Sequence, residues 1–439
     1  MWVRKRIDIG WPDLALGILA CCRPQDGPAI QRQVEHHWSA AGDTLACLSV
    51  RSGFDLLLAA LNLPPQSEVL ITALTIPDMV RIIKDHDLVP VPVDVELDTM
   101  APQMEALQRA VTPATRAIVV AHLFGGRVPL EPILAFARQH NLLVIEDCAQ
   151  AFAAGDYRGH PEADVSMFSF GTIKTATALG GAVLRVRDRR VLERMRAQQD
   201  AYPRQSRWCY LRRLLKYALL KAISPRPMFK LVVFGCRVAH RDYDAMLNRA
   251  VRGFPGPEFT RRIRQRPSPP LLAVLKRRLR RYKIKRLAKR TANGELLARY
   301  LRRHVPCPGA DCLGHTHWVF PIVADSPSGV MAVLREAGFD ATQGQSMCVV
   351  PPPADRAELQ ARQANETLAR IVFLPIYADM PPRAVRKMAR TVLRVARGWH
   401  KSAGWNRRER AGGLREPTAL PPHIAAVSPT TNRPVSPAG

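Results

Sequence analysis

Between residues 44 and 200, short apolar runs alternate with amphipathic stretches. Residues 44–50 predict a strand, followed by a Ser52-Gly53 turn and a helical run to Leu61. Residues 68–73 predict a second strand. Thr75 then serves as the N-cap of a helix with Pro77 just inside it. Further strands are predicted over 88–95, 117–121 and 142–145, and a helix over 130–140 with Ile133, Leu134, Phe136 and Ala137 on its apolar side. Continuous apolar runs interleaved with helices indicate α/β units around a large, mostly parallel sheet.

Residues 201–262 break that rhythm. Apolar residues at 211, 214, 215, 218, 219 and 222 follow a helical period, with Arg212, Arg213, Lys216 and Lys221 between them. A second apolar stretch, 228–239, would be about 18 Å long as a helix, too short to span a bilayer. One long basic helix is predicted over 271–304. From 316 to 397 the α/β pattern returns, with a strand at 318–323, a helix at 329–337, a turn at Phe373-Leu374-Pro375 and a helix from Pro382. Beyond Lys401, Gly, Ser, Thr and Pro without periodicity predict a disordered tail. The expected division is a large domain over 1–200, a basic helical insertion over 201–262, a linking helix and small C-terminal α/β domain over 263–400, and a tail over 401–439.

The composition of the 439 residues, 47% hydrophobic and 23% charged, is that of a chain able to bury a core. No apolar run reaches the roughly 20 residues of a membrane span. The N-terminus opens on Val3-Arg4-Lys5-Arg6, but Asp8, Pro12 and Asp13 interrupt any apolar region, so no signal peptide is expected. Nine cysteines at irregular spacing suit reduced thiols in a cytoplasm and offer no metal site. The net charge of +28 is localised, since residues 201–300 hold 27 Lys and Arg against four acids. Such a segment implies an anionic partner: a phosphate-bearing substrate, a membrane surface or nucleic acid. The absence of a helix-turn-helix, zinc finger or RNA-recognition motif sets nucleic acid aside. The insertion reads either as a solvated helical cover or as a peripheral contact with the inner face of a membrane.

Candidate chemistry sits at the ends of successive predicted strands, where open α/β sheets bind ligands. Ser52-Gly53-Phe54-Asp55 enters a helix, so its N–H groups could hold a phosphate, although a plain helix start has the same pattern. His122 follows the strand 117–121. Glu146-Asp147-Cys148-Ala149-Gln150 closes another strand with an acidic pair, and buried carboxylates need partners. Phe168-Ser169-Phe170-Gly171-Thr172-Ile173-Lys174, followed by Gly180-Gly181, sets a hydroxyl and an amine around a turn. A desolvated lysine becomes a nucleophile toward carbonyls. Phosphate cradle, Asp147 and Lys174 together match the needs of pyridoxal 5'-phosphate (PLP). Lys174 would bond the cofactor, Asp147 would keep its ring nitrogen protonated, and Ser169 with the Gly53 and Phe54 amides would hold the phosphate.

On these blocks, together with Val93-Asp94-Val95, Asp98-Thr99 and His122-Leu123-Phe124-Gly125, the chain resembles the DegT/DnrJ/EryC1/StrS family of fold-type-I, PLP-dependent sugar aminotransferases. The resemblance covers about 44–186 and, more loosely, 264–397. It implies amino transfer, with glutamate as the usual donor, to a keto-sugar or other cyclic ketone. A nucleotide-linked sugar for surface polysaccharide or secondary metabolism fits that pattern. It places Gln150 on the cofactor ring and His122 beside the pocket. It also implies a homodimer in which the partner supplies an Asn-x-Arg motif, here Arg264-Gln265-Arg266, with Arg266 matching. Related dehydratases carry a His at the lysine position, so Lys174 argues against that chemistry. Three departures stand out: Phe54 in place of a Thr, Ile76 where an aromatic usually stacks, and an unfamiliar substrate loop over 341–346. With the basic insertion, they leave open a non-catalytic, membrane-associated or regulatory protein on the same fold.

Overall fold

The computed structural model describes residues 1–402 except 5, 154, 156, 226, 230–233, 235–257 and 345. Most of the apolar stretch 228–239, and the tail beyond 402, lie outside the described residues. Contacts join Met1–Arg397 into one compact unit, within which the sequence-drawn boundaries mark segments.

Two helices, α1 (Trp11–Cys22) and α2 (Gly27–Trp38), precede β1 (Thr44–Cys47) and α3 (Val50–Leu61). Then follow β2 (Glu68–Thr72), β3 (Leu74–Thr75), α4 (Pro77–Asp85), β4 (Val89–Val93), α5 (Met104–Ala110), β5 (Thr115–Ala121), α6 (Glu131–Gln139) and β6 (Leu143–Asp147). After β7 (Val165–Ser169) and β8 (Ala182–Val186) come α7 (Arg189–Ala201) and α8 (Arg207–Ile223). The seven-stranded sheet has the order β1-β8-β7-β6-β5-β2-β4. Strands β4, β2, β5, β6 and β7 run parallel, and β8 pairs antiparallel with both β7 and β1. The expected large, mostly parallel α/β sheet is therefore present.

Strand alternation sorts the side chains. Val69, Ile71, Val119 and Ile145 point to a core shared with Phe54, Leu57, Ile83 and Met195. Leu70, Ile118, Val120 and Val144 point the other way, to Leu107, Ile133 and Phe136. A third cluster joins α1, α2 and α8 to the sheet through Leu14, Trp38, Phe168, Phe170, Val183, Tyr210 and Leu214.

Beyond the insertion, α9 (Phe259–Ile263), α10 (Pro269–Arg280) and α11 (Ile284–Leu301) replace the single helix expected over 271–304. The break falls at Arg281, Tyr282 and Lys283, where Tyr282 turns inward to meet Phe152 at 5.8 Å between ring centroids. The last portion holds β9 (Phe320–Val323), α12 (Pro327–Glu336), β10 (Cys348–Val349), α13 (Arg362–Arg370), β11 (Ile371–Leu374) and α14 (Pro382–Ser402). Phe373 and Leu374 belong to β11, which pairs antiparallel with β9, so the turn expected there is a strand end instead. Helix α14 also continues two residues into the expected tail. Among the described residues no helix is long and apolar enough to cross a membrane.

Candidate active site

Asp147 ends β6 at the carboxyl edge of the parallel sheet, and alternation gives it and its neighbour Glu146 opposite faces. Asp147 Oδ1 accepts the Ala149 N–H at 2.9 Å, and Oδ2 has no hydrogen-bond partner among the described residues. Burial raises its pKa, while the Ala149 N–H, Lys174, His122 and Arg51 all oppose the rise.

Lys174 lies in the turn after β7, closed by its own N–H to the Gly171 carbonyl at 3.0 Å. Its amine forms no hydrogen bond and no ion pair among the described residues, and sits 4.3 Å from the centroid of the Trp318 ring. Burial pushes its pKa down from 10.5 to about 8, with Asp147 resisting and Arg51 assisting. A lysine held away from water for structure alone is expected to have a paired carboxylate, and the half-buried Lys174 has none among the described residues.

The loop carrying Lys174 is fixed from several sides. Thr177 donates its hydroxyl to the carbonyls of Phe170 (3.1 Å) and Gly171 (2.6 Å). Arg278 on α10 donates to the Thr177 carbonyl at 3.1 Å while paired with buried Asp13 at 2.9 Å. From α8, Tyr210 donates to the Ala178 carbonyl at 2.7 Å and Arg213 to the Leu179 carbonyl at 3.1 Å. Trp318 closes the other side, its indole N–H donating to the Ile173 carbonyl at 3.0 Å.

Arg51 and Trp318 are the two neighbours of Lys174 that the sequence reading missed. Arg51 stands one residue before the Ser52-Gly53 pair, in the first turn of α3, and pairs with Asp78. A lone cation in that otherwise apolar turn is a signal that could have found it. Trp318 is too far along the chain to leave any local signal.

The remaining candidates are distributed unevenly. Ser169 ends β7, where its Oγ accepts the Gly171 N–H at 3.4 Å. Among the described residues the Gln150 amide nitrogen has no acceptor. Its Oε1 accepts the Phe124 N–H at 2.9 Å, stabilising a backbone with φ of +59°.

The expected phosphate cradle at Ser52, Gly53 and Phe54 needs correction, because α3 begins at Val50, earlier than the pattern predicted. Ser49 is the N-cap and takes the Ser52 N–H on its side chain at 3.2 Å. The Gly53 N–H donates to the Ser49 carbonyl at 3.0 Å, and that of Phe54 lies inside the helix, where helical geometry commits it to Val50. The first-turn N–H groups left by that geometry belong to Val50 and Arg51. Gly53 has a packing role instead, since a Cβ there would come within 2.4 Å of Leu184 on β8. Phe54 is fully buried in the sheet core.

His122 faces the opposite side of the sheet from Asp147. Its Nδ1 accepts the Val128 N–H at 3.1 Å, so Nε2 carries the proton and donates to Glu146 Oε1 at 2.7 Å. Both nitrogens are thus committed to protein. Glu146 also accepts from the Tyr157 hydroxyl, from Ser166 Oγ at 2.7 Å and from the His160 N–H at 2.9 Å. Burial raises the Glu146 pKa, but the hydrogen bonds from His122, Tyr157 and Ser166 outweigh it and bring it to about 2. Cys148 lies close enough to join His122 and Glu146 around an ion. The occupied lone pairs and a thiol pushed well above its ordinary pKa by burial argue against that use.

Arg264 and Arg266 are engaged within their own chain. Arg264 forms a two-pronged pair with Asp55 at 3.0 and 2.9 Å, beside His86 at 3.0 Å. Arg266 donates to the Tyr202 carbonyl at 3.1 Å and to Asp200 at 3.4 Å. Ile76 is the N-cap of α4, half-buried against the sheet core.

The chain's residues 29–208 match the model of the DegT/DnrJ/EryC1/StrS aminotransferase family, over the strands and turns that build this site. That match spans 180 of the 439 residues. Over 155 residues it is 34% identical to GDP-perosamine synthase of Caulobacter vibrioides, covering 35% of this chain and 42% of that one. Over 169 residues it is 32% identical to GDP-perosamine synthase of Escherichia coli O157:H7, covering 38% and 44%. The chain thus matches less than half the length of these curated relatives. A putative sugar aminotransferase, Spr1654 of Streptococcus pneumoniae, shares the fold with a TM-score of 0.65 at 15% identity, covering 91% of this chain and 99% of that one. Lys174, Asp147 and Ser169 lie within the matched residues, and Trp318 lies beyond them.

Proposed function

We propose that this chain is a PLP-dependent aminotransferase that moves an amino group from glutamate to a nucleotide-linked keto-sugar, acting as a homodimer. The observation that carries the reading is the pair of groups at the sheet edge that find no partner among the described residues: the half-buried amine of Lys174 and one acceptor oxygen of Asp147. These fit PLP, whose carbonyl takes an amine and whose ring nitrogen takes a carboxylate. When bound, the cofactor supplies a conjugated ring that can accept the electron pair left at a substrate carbon.

The protein's part follows from the residues in place. Lys174 would hold the cofactor through its carbonyl carbon, and its free amine would be the base that moves the proton at the substrate carbon. Asp147 keeps the ring nitrogen protonated. Ser169 and the first turn of α3, with Arg51, would hold the phosphate in place of the Gly53 and Phe54 amides. Trp318 covers Lys174 and limits water. The sugar assignment rests on the match to the family model over residues 29–208 and on the relatives' name, which specifies a GDP-linked product.

The direct test is amino transfer from glutamate to a panel of keto-sugar nucleotides, and no transfer to any cyclic ketone would defeat the reading. Asp147→Asn is expected to keep cofactor binding but lower turnover by at least roughly 100-fold, about 3 kcal/mol of barrier. A wild-type rate in that variant would remove Asp147 from its role. Arg266→Ala mixed with Lys174→Ala is expected to restore activity in about a quarter of the sites, because a symmetric dimer exchanging subunits at random builds one intact site per heterodimer. No recovery despite demonstrated exchange would place Arg266 in service of its own chain only.

A further inference from the structure

Helices α1 and α8 pack against each other through a close approach at Gly17, where a Cβ would come within 2.8 Å of Leu214. Near the other end of the contact, the Lys221 amine lies 5.8 Å from the Trp11 ring centroid. The inner faces are ordinary core. Leu14 and Cys21 of α1 and Tyr210, Leu214 and Tyr217 of α8 are buried. The outer faces are not ordinary surface.

The outward positions of α1 are Trp11, Pro12, Ala15, Leu19 and Cys22, and none is charged. On α8, Trp208, Leu215 and Leu219 share one side of the helix, opposite the buried stripe. Trp11, Leu19, Trp208, Leu215 and Leu219 are each 52–64% exposed. Scattered single exposed leucines need no explanation, but five large apolar side chains on two packed helices do. Arg207, Arg212 and Lys216 stand exposed beside them. From 201 to 241 the chain has ten Lys and Arg and no Asp or Glu.

We propose that the outward faces of α1 and α8 form a docking surface for an anionic lipid bilayer, with the tryptophans and leucines entering the headgroup region and the flanking cations meeting the lipid phosphates. The charge pattern selects this occupant. A nucleic acid would use the cations and leave the apolar side chains in water. A second copy of this chain would bring the same cations face to face across a two-fold axis, and like charges there oppose association. An anionic bilayer satisfies both at once, and tryptophan is the residue favoured at its interface. The surface is pre-formed, because Tyr210 and Arg213 fasten the inner side of α8 to the Lys174 loop. Docking would therefore set the orientation of the active site toward the membrane.

The test uses the full-length protein and co-sedimentation with vesicles of phosphatidylglycerol mixed with phosphatidylethanolamine, against vesicles of phosphatidylcholine alone. Binding to the anionic vesicles is expected at low salt, falling several-fold on raising salt through the physiological range, with little binding to the neutral ones. Leu215→Ser with Leu219→Ser, and separately Arg212→Glu with Lys216→Glu, are each expected to weaken binding at least tenfold. All four sites are exposed, and an unchanged circular dichroism spectrum and melting temperature serve as the folding control. Three results would overturn the proposal: no sedimentation of wild-type protein at low salt, binding unaffected by the leucine pair, or loss of a self-association through this face when the leucines are replaced. Vesicle binding requires neither cofactor nor turnover, so its failure leaves the aminotransferase reading standing, and the reverse also holds.

Discussion

Lys174→Ala is expected to remove amino transfer from glutamate to any acceptor, by at least roughly a thousandfold, while leaving the fold intact. The chemical part follows from titration. An ordinary lysine with a pKa of 10.5 presents about one free amine in three thousand at pH 7, whereas one at about 8 presents about one in ten. No other lysine shows that combination of burial and missing partner among the described residues, so none can stand in. The stability part has the opposite sign to most core substitutions. The Lys174 pKa is lower in the folded state, so the unfolded state binds more protons between about 8 and 10.5. Stability therefore rises with pH through that window, and burial of the charged amine is a cost carried below about 8. In cofactor-free protein the alanine variant should melt no lower than wild type at pH 7, and its advantage should shrink as pH rises toward 10.5. The checks are a glutamate-dependent transfer assay, reduction of cofactor-loaded protein with borohydride to test for covalent retention, and melting curves at two pH values. Retained turnover would end the assignment of Lys174. A melting temperature well below wild type at pH 7 would show the amine to be structural.

The sheet was legible because its signals are local. Apolar runs such as 117–121 mark strands, and an acidic pair ending one run with a lysine turn ending the next marks the candidate site. The onset of α3 was harder to place. Ser49 caps the helix, but Ser52-Gly53 is the more conspicuous turn signal, and the lack of a side chain at Gly53 lets Leu184 approach. The break between α10 and α11 carries no Pro or Gly. It follows from Tyr282 finding Phe152, a contact no window of sequence contains. Trp318 over Lys174 and Tyr157 on Glu146 are of the same kind. The two acids of β6 could be recognised together from sequence, but their separate duties depend on which face each side chain meets.

That division of duties leads to the second large effect. Glu146 is fully buried, and its two oxygens accept from His122, Tyr157, Ser166 and the His160 N–H. Glu146→Ala would leave four donors without an acceptor, two of them on the fully buried His122 and Ser166, and breaking a buried network of this kind costs about 3–5 kcal/mol. Because His122 is anchored to Val128 and follows β5, and Asp147 is the next residue along β6, loosening the network would also shift the carboxylate assigned to the cofactor ring. Glu146→Gln keeps one acceptor oxygen and should lose less. The pH dependence supplies a separate check. The Glu146 pKa is about 2 in the folded protein against an ordinary 4.5, so its contribution is complete above about 4.5 and is lost as pH falls toward 2. The stability gap between wild type and Glu146→Ala, measured by urea unfolding, should therefore be widest near neutral pH and close in acid. A gap below about 1 kcal/mol at pH 7, or one that stays constant down to pH 3, would show that the ionised carboxylate does not hold this part of the sheet together.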